Sequence, residues 1–167
     1  TNTLLKELAR QGAPAGTVAV CDFQSAGRGR LQRVWKAAAG ETLPVSLLLK
    51  PRLTPEQIPL CTLGAAVAAS QAIEQVCPGL KAGIKWPNDV VISGRKCVGI
   101  LCEGAFDPEG RLCVIMGVGF NGNQREFPPE LFASATSLFL EKQRCDPAAA
   151  PVVLRELLAE IGRASCR

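Results

Sequence analysis

Residues 82–120 read AGIKWPNDVVISGRKCVGILCEGAFDPEGRLCVIMGVGF, and this stretch decides the fold class. Its apolar runs are short, and they are separated by turn-forming residues at Pro87, at Ser93-Gly94 and at Asp107-Pro108-Glu109-Gly110. Short apolar runs between such turns indicate β-strands that are joined as hairpins. The stretch therefore predicts a block of strands that follow one another directly along the chain.

The residues before this block predict one helix and two further strands. Leucines repeat at helical spacing between Thr1 and Arg10, so a short amphipathic helix is expected there. The apolar runs from Thr17 to Phe23 and from Leu43 to Lys50 are expected to be strands. Pro44 has no N–H to donate to a sheet, so it is expected at the start of its strand or on an edge.

Two more helices are predicted, one on each side of the hairpin block. The segment Thr54-Pro55-Glu56-Gln57 combines an N-cap, a proline at the first helical position and a capping glutamine, which predicts a helix as far as about Val76. Asp146-Pro147 is expected to begin a last helix, whose apolar residues extend to Ile161. Helices placed between segments of hairpin-joined strands indicate an α+β fold.

The composition is that of one ordinary globular domain. The chain has 167 residues, of which 47% are hydrophobic and 20% are charged, so disorder is not expected. The net charge of +4 is modest, whereas nucleic-acid-binding proteins typically carry a dense basic face. No apolar run approaches the ~20 residues that cross a bilayer, so a cytoplasmic protein is expected.

The cysteines point to a packing role. The chain has eight of them and no histidine, and no two cysteines form a Cys-x-x-Cys pair, so a zinc site is not expected. Most lie in apolar runs, where a free thiol behaves as a small hydrophobic group. We therefore expect reduced core cysteines, with Cys166 as the candidate for an exposed thiol.

A basic, glycine-containing loop follows the first predicted strand. Residues 24–35 read QSAGRGRLQRVW and contain three arginines and two glycines. Glycine lets the backbone approach a ligand closely, and arginine offers a permanently charged planar group that suits phosphate or carboxylate. The loop therefore predicts an anion site, although its residues alone would equally fit a solvated basic turn.

Two further motifs follow in a fixed order. Lys85-Trp86-Pro87-Asn88-Asp89 precedes the run from Lys96 to Glu103, and Gly117-Val118-Gly119-Phe120-Asn121-Gly122-Asn123 closes the next apolar run. Together with the basic loop, and in this order, these motifs resemble the catalytic domain of the biotin protein ligases. The ordered set is specific, whereas each motif alone is a weak signal.

The resemblance covers nearly the whole chain, from Thr1-Asn2 to Ala135-Thr136-Ser137-Leu138. It implies that residues 1–167 form one catalytic domain with a mixed, largely antiparallel sheet backed by helices, similar to class II aminoacyl-tRNA synthetases. No counterpart of the family's N-terminal DNA-binding module or of its C-terminal SH3-like barrel is expected within these residues. The chain also begins within a motif, so a fragment of a longer protein is expected.

The resemblance implies a specific activity and specific ligands. Family members use ATP and Mg²⁺ to activate biotin as biotinyl-5′-AMP, and then transfer biotin to a lysine of a biotin carboxyl carrier protein. The expected partners are therefore a carrier domain of a carboxylase, biotin and ATP, with no nucleic acid and no membrane. A homodimer is a further expectation, since some relatives pair through their sheets.

Family positions also imply roles for individual residues. Lys96, Arg30 and Arg28 are expected to be catalytic, with Lys96 reaching the biotin carboxylate and the α-phosphate. The biotin site is expected to comprise the following residues: Thr1, Asn2, Gln24, Gly27, Arg28, Gly29, Arg30, Lys96 and Gly99. The nucleotide site is expected to comprise these: Arg30, Arg33, Trp35, Lys85, Asn88, Asp89 and Asn121. Asp89 is in addition the candidate ligand of Mg²⁺.

Six of these residues also have a plain structural interpretation. Lys96 could be a solvated lysine at a hairpin end, Asn2 a helix cap, and Trp35 a core anchor. Lys85 and Asp89 could form a surface ion pair, which contributes little to stability. Asn121 could be a turn residue.

The sequence departs from the family pattern at several positions. The family loop carries glycine where this chain has Gln32, and a positive φ there would cost about 1 kcal/mol or more. Val98, Phe120 and Pro44 also differ from the usual residues. Two other functions therefore stay open: a lipoate or octanoate ligase or transferase of the same fold, and a non-catalytic fragment that binds biotin or its adenylate.

Overall fold

The structure is a computed structural model and describes residues 1–35 and 39–145. The helices in this part of the chain are α1 (Asn2–Arg10), α2 (Ile58–Val76) and α3 (Leu138–Cys145). The strands are β1 (Val18–Val20), β2 (Thr42–Leu49), β3 (Ala82–Lys85), β4 (Asp89–Ile92), β5 (Arg95–Phe106) and β6 (Leu112–Asn121). Short 3₁₀ turns lie at Arg30–Gln32, Pro55–Gln57 and Pro129–Leu131.

The strands form one six-stranded sheet in the order β1-β2-β6-β5-β4-β3. Every pair of neighbouring strands is antiparallel, and a parallel pairing occurs at the isolated bridge between Lys96 and Ala135. The predicted α+β fold with a largely antiparallel sheet is therefore confirmed.

The hairpin block lies where the sequence predicted it. β3 to β6 follow one another along the chain and pair in the same order. Ser93 and Gly94, which join β4 to β5, have φ angles of 51° and 77°, the left-handed conformation of a tight hairpin turn. Asp107 holds the next turn, because its Oδ1 accepts hydrogen bonds from the backbone N–H groups of Glu109 and Arg111.

The two faces of the sheet are covered differently. Side chains alternate between faces along a strand. On β2, Leu43 and Val45 belong to the core cluster under α2, whereas Leu48 belongs to the cluster with Leu5 and Ala9 of α1. α1 and α2 therefore pack on opposite faces of the sheet. Alanines on the buried side of α2 let the helix approach the sheet closely: Ala65, Ala66, Ala69 and Ala72.

The start of the long helix agrees with the prediction. Thr54 and Gln57 form a reciprocal capping box around a 3₁₀ turn, and α2 continues from Ile58 to Val76. α1 spans Asn2–Arg10, which also agrees with the prediction.

The first strand is shorter than predicted, and Pro44 gives the physical reason. β1 ends at Val20, although a strand was expected as far as Phe23. In an antiparallel ladder, two facing residues exchange two hydrogen bonds. The backbone N–H of Cys21 donates to the oxygen of Pro44 at 3.4 Å, but Pro44 has no N–H to return. The ladder ends at this pair, in the third residue of β2.

The end of the described chain also differs from the prediction. α3 (Leu138–Cys145) was not predicted, although Ser137 provides a capping signal, since its Oγ accepts the backbone N–H of Leu140 at 3.1 Å. The helix expected from Asp146-Pro147 lies outside the described residues, as does Cys166.

Five of the described cysteines are free thiols: Cys21, Cys61, Cys97, Cys102 and Cys113. Cys77, Cys97 and Cys113 are buried. Burial is the largest of several effects on the Cys102 thiol and raises its pKa to about 11.

No helix in residues 1–35 and 39–145 is long and apolar enough to span a membrane.

Asp107 is expected to make stability depend on pH. Burial alone would raise the pKa of Asp107, but hydrogen bonds from Arg111 and Lys50 outweigh it and hold the pKa below its usual range. Its stabilising effect is therefore present above the ordinary carboxyl pKa of about 4 and is lost as the pH falls towards the folded-state pKa. We expect Asp107→Asn to lower Tm at pH 7, and the difference from wild type to shrink in thermal melts near pH 2. Glu109→Gln, in the same turn but exposed, is the matched control and should change Tm little.

Candidate functional site

A floor of glycines lies on the sheet face opposite α2. Gly99 of β5 and Gly119 of β6 are register partners, and Gly117 lies two residues before Gly119 on the same face. A Cβ on Gly99 or on Gly119 would each come within 2.8 Å of the indole ring of Trp35. The glycines therefore let Trp35 lie directly on the sheet. A side chain at position 99 or at position 119 would occupy the space of the indole ring.

Trp35 packs on this floor and anchors the arginine loop, and its indole N–H donates no hydrogen bond to a described residue. Its Nε1 is buried and has no hydrogen-bond partner among the described residues. A buried donor without an acceptor is unfavourable by about 1–3 kcal/mol, so the position favours a ligand that offers an oxygen. The position of Trp35 is therefore compatible with both predicted roles, a packing anchor and a residue of the nucleotide site.

Lys96 reaches over the same floor. Its Nζ lies 5.4 Å from the centroid of the Trp35 ring and 2.7 Å from Oδ1 of Asp89, and both partners of this ion pair are largely shielded from solvent. A Cβ on Gly99 would come within 3.2 Å of Nζ. Lys96 is therefore not a solvated lysine at a hairpin end.

The ion pair of Asp89 differs from the one considered for the sequence. Lys85 faces Asp89 across the β3–β4 ladder, but Asp89 pairs with Lys96 instead, and Lys85 is exposed. Asn88 stabilises the turn between β3 and β4, because it exchanges hydrogen bonds with the backbone of Ile100. Its role towards a nucleotide stays a prediction.

A polar corner, formed by Thr1, Asn2, Gln24, Ser46 and Glu103, lies beside the glycine floor. Gln24 Nε2 donates to Thr1 Oγ1 at 3.0 Å, and Ser46 Oγ lies 2.6 Å from both Thr1 Oγ1 and Asn2 Oδ1. Asn2 Nδ2 donates to the Leu101 oxygen at 3.2 Å and to Glu103 Oε2 at 2.8 Å. Asn2 is thus bound to the sheet, and it is not the cap of α1, whose N-cap is Thr1.

Glu103 is a site residue that sequence reasoning missed. It accepts a hydrogen bond from Lys6 at 2.6 Å as well as the one from Asn2, and Arg28 lies 3.5 Å away. Burial opposes its ionisation, but hydrogen bonds from Lys6 and Asn2 and the charges of Lys6 and Arg28 outweigh it, so the pKa of Glu103 lies below its ordinary value. Its partners are about 75 to 101 residues away along the chain, so no local spacing could reveal it.

The arginine loop closes as a narrow hairpin beside the floor. Trp35 donates its backbone N–H to Gly27, and Gly29 donates to Arg33. A Cβ on Gly27 would lie 2.2 Å from the Trp35 oxygen, so only glycine fits there. Gln32 has a φ of 59°, so the cost that a positive φ carries for a residue other than glycine does apply at this departure from the family pattern.

The three arginines of the loop are exposed, and they differ in their contacts. Arg28 approaches Glu103 and lies 3.4 Å from Thr3 Oγ1. Arg30 and Arg33 form no ion pair with any described residue, so both guanidinium groups are available to an anion. The loop therefore brings one partly neutralised and two free positive charges to one side of the floor.

Asn121 lies apart from this cluster. It is buried at the end of β6, where its Nδ2 donates to the Thr136 oxygen at 3.0 Å and its Oδ1 accepts from Gln124. Its side-chain amide is thus engaged within the protein, and it is a strand residue instead of a turn residue. Contact with a nucleotide stays a prediction for Asn121.

Taken together, the site pairs a polar corner with a positively charged side. Asn2 and Gln24 lie in the corner, and Lys96 lies over the floor with Asp89 at its tip. No group of three or more potential metal ligands occurs in the described parts of the chain. The arrangement suits a ligand with a polar head and an anionic tail, joined to a second anion near Lys96 and the arginine loop.

Comparison with known proteins agrees with this arrangement. The model of the biotin/lipoate A/B protein ligase family matches residues 1–121. The bifunctional ligase/repressor BirA of Bacillus subtilis is 46% identical over 140 residues, which are 83% of this chain and 43% of that protein. The biotin–[acetyl-CoA-carboxylase] ligase of Mycobacterium tuberculosis is 38% identical over 143 residues, which are 83% of this chain and 51% of that protein. The chain thus spans about half the length of these curated relatives.

The fold of this chain is also similar to that of solved structures. The structure of biotin protein ligase from Aquifex aeolicus in complex with biotin and ATP is similar with a TM-score of 0.78 and 33% sequence identity, over 99% of this chain and 64% of that one. The sheet and helices described above therefore have the class II synthetase-like fold that was expected. Since the family model covers well over half of its residues, the chain belongs to the biotin/lipoate A/B protein ligase family.

Proposed function

We propose that this chain activates biotin with ATP to form biotinyl-5′-AMP and transfers the biotinyl group to a lysine of a carboxyl carrier domain. The observation that carries this proposal is the position of Lys96, whose Nζ lies over the glycine floor beside Asp89 and Trp35. Similarity to ligases that bind biotin and ATP supports the same chemistry.

Activation is needed because a free carboxylate does not react with an amine. The biotin carboxylate attacks the α-phosphorus of ATP, and pyrophosphate leaves. The amine of the acceptor lysine then attacks the carbonyl of the mixed anhydride, which forms the amide bond and releases AMP. The first step forces two anions together, so a fixed positive charge at that point lowers the barrier. Lys96 is suited to this role, and the free guanidinium groups of Arg30 and Arg33 are suited to hold the phosphates.

The polar corner is suited to the head group of biotin. A ureido ring has two N–H donors and one carbonyl acceptor, and the amides of Asn2 and Gln24 and the hydroxyl of Thr1 complement both kinds of group. Gly27 and Gly29 let the arginine loop approach the ligand, with Arg28 next to the corner. Gly99 lets Trp35 and Lys96 lie against the sheet, from which both would reach the ligand.

Mg²⁺ would be held by Asp89 together with phosphate oxygens of the nucleotide. A single carboxylate fits this ion, which usually keeps several waters and binds through one or two carboxylates plus substrate phosphates. When bound, the ion would neutralise charge on the phosphates. Asp89 would thus act on both Lys96 and the metal, while Lys85 stays a candidate for phosphate contact from the end of β3.

The polar corner also favours biotin over the other ligands of this family. The dithiolane ring of lipoate and the alkyl chain of octanoate have no N–H group that could occupy the acceptors of Asn2 and Gln24. Burying these polar groups against an apolar ligand would leave them without partners, which is unfavourable. Lipoate or octanoate is therefore the second candidate ligand. The cytoplasmic location and the homodimer stay predictions.

The test is incubation with biotin, Mg-ATP and a biotin carboxyl carrier domain, followed by intact mass measurement of both proteins. We expect the carrier to gain the mass of one biotinyl group, and calorimetry to show tighter binding of biotin than of lipoate. A carrier that gains mass only with lipoate would contradict the biotin assignment. Binding of biotin and ATP without transfer would instead favour the non-catalytic fragment.

A further inference from the structure

The polar corner contains a continuous chain of hydrogen bonds that ends at a carboxylate. It runs from Gln24 through Thr1 and Ser46 to Asn2 and then to Glu103, with no step longer than 3.0 Å. Ser46 is fully buried, and Glu103 is largely shielded from solvent. The two amides at the ends of the chain of neutral groups are those proposed to bind the head group of the ligand.

The direction of every bond in this chain follows from its last member. Ionised Glu103 can only accept, so Asn2 must present its NH₂ group to it and its Oδ1 to Ser46. The single proton of Ser46 is then donated to Asn2 Oδ1, and the hydroxyl of Thr1 donates to Ser46. Thr1 in turn accepts from Gln24 Nε2, and Gln24 Oε1 has no hydrogen-bond partner among the described residues.

This direction determines which atoms remain for a ligand. Both protons on Asn2 Nδ2 are used by Leu101 and Glu103, whereas Asn2 Oδ1 keeps one lone pair and lies directly above Gly117. Gln24 Oε1 keeps both lone pairs. The corner is therefore rich in acceptors, which suits a head group that donates N–H bonds.

We propose that Glu103 is a positioning residue, which holds the amides of Asn2 and Gln24 in the orientation that selects ligands with N–H donors. This role rests on the proposed function of the site, because it concerns how the same head group is recognised. Glu103 acts through Asn2 and does not touch the ligand. Its counter-ion is Lys6, which binds the other carboxylate oxygen at 2.6 Å.

Lys6 makes the proposal testable by rescue. In Glu103→Gln, one side-chain oxygen has to serve both the Lys6 ammonium and the NH₂ group of Asn2. Lys6 is a charged donor at 2.6 Å, whereas Arg28, on the side of Asn2, lies at 3.5 Å, so the oxygen turns to Lys6 and the new NH₂ group faces the NH₂ group of Asn2. Asn2 is then displaced, and the chain to Gln24 is broken. Replacing Lys6 by methionine in the same protein frees the glutamine oxygen for Asn2.

The experiment compares wild type, Glu103→Gln and the double variant Lys6→Met/Glu103→Gln. Side-chain amide signals of Asn2 and Gln24 are recorded by ¹H–¹⁵N NMR in the free protein, and biotin and lipoate affinities are then measured by calorimetry. We expect Glu103→Gln to shift both amide signals and to weaken biotin about tenfold or more, with lipoate changed less than about threefold. The double variant should return both signals and most of the biotin affinity. Asp107→Asn, which removes a paired carboxylate outside the corner, should leave the Asn2 and Gln24 signals in place.

The two kinds of measurement separate the possible failures. Gln24 signals that stay unchanged in Glu103→Gln would overturn the chain of hydrogen bonds, whatever the protein binds. Restored signals without restored biotin affinity in the double variant would overturn the positioning role. A wild type that does not bind biotin, but whose signals respond as expected, would overturn the proposed function while the orienting effect of Glu103 stands.

Discussion

Lys96→Ala is expected to slow pyrophosphate release at least about a hundredfold, while biotin affinity falls less than about tenfold. A charge that meets both the carboxylate and the α-phosphate matters most when the two anions are forced together. Biotin alone brings only its carboxylate, so binding of biotin loses less than the reaction does.

Lys96→Arg should not restore the reaction. Nζ lies 2.7 Å from Asp89 and directly over Gly99 beside the Trp35 ring, so a planar guanidinium has no room to take the same place. The measurement is pyrophosphate release with biotin and Mg-ATP, alongside calorimetry with biotin for each variant. Lys81→Ala is the matched control, because Lys81 is an exposed lysine that pairs with Glu74 away from the site. Wild-type rates in Lys96→Ala would refute the catalytic role.

Gly117→Ala is expected to weaken biotin binding about a hundredfold, the second large effect. The added Cβ would lie 2.4 Å from Asn2 Oδ1, which is a steric clash between two non-bonded atoms. Asn2 cannot easily move aside, because Ser46, Leu101 and Glu103 hold both ends of its amide. The substitution therefore removes the orientation of Asn2 and at least one buried hydrogen bond, each worth about 1–3 kcal/mol when left unpaired.

A second glycine in the sheet gives the control for this variant. Gly83 lies in β3, where a Cβ would meet Val91 at 3.5 Å, an ordinary contact. Gly83→Ala should therefore bind biotin as wild type does. Calorimetry with biotin and a thermal melt of each variant distinguish a local change at Asn2 from general unfolding. Equal biotin affinities for Gly117→Ala and Gly83→Ala would show that Asn2 does not contact the ligand.

The parts of the fold that local chemistry determines were predictable from the sequence. The turn at Ser93-Gly94 and the capping box of Thr54 and Gln57 lie where the residues indicated. The end of β1 was not predictable in the same way. It depends on which residue faces Cys21 across the sheet, and that pairing with Pro44 is set by the register of two strands.

The site shows the same division. The resemblance to the biotin protein ligases placed Lys96, Gly99 and Trp35 in one predicted ligand site, and the structure brings the three residues into contact. The spacing along the chain made Lys85 a candidate ion-pair partner of Asp89, but the partner is Lys96. Lys85 and Lys96 lie on the two strands that flank β4, and which ammonium group reaches Asp89 depends on the three-dimensional position of the side chains. Glu103 was missed for a similar reason, since Asn2 and Lys6 approach it only after α1 has packed on the sheet.

The position of Trp35 has a spectroscopic consequence. The chain contains two tryptophans and no tyrosine, so these two indoles dominate its near-ultraviolet absorption and emission. Trp86 is 78% exposed and should emit at the long wavelengths typical of an indole in water. Trp35 packs on the glycine floor and is only partly exposed, so its emission should lie at shorter wavelengths than that of Trp86 and should change when a ligand reaches Nε1 or Lys96. With Trp86 replaced by phenylalanine, the protein would carry a single tryptophan, located in the candidate site.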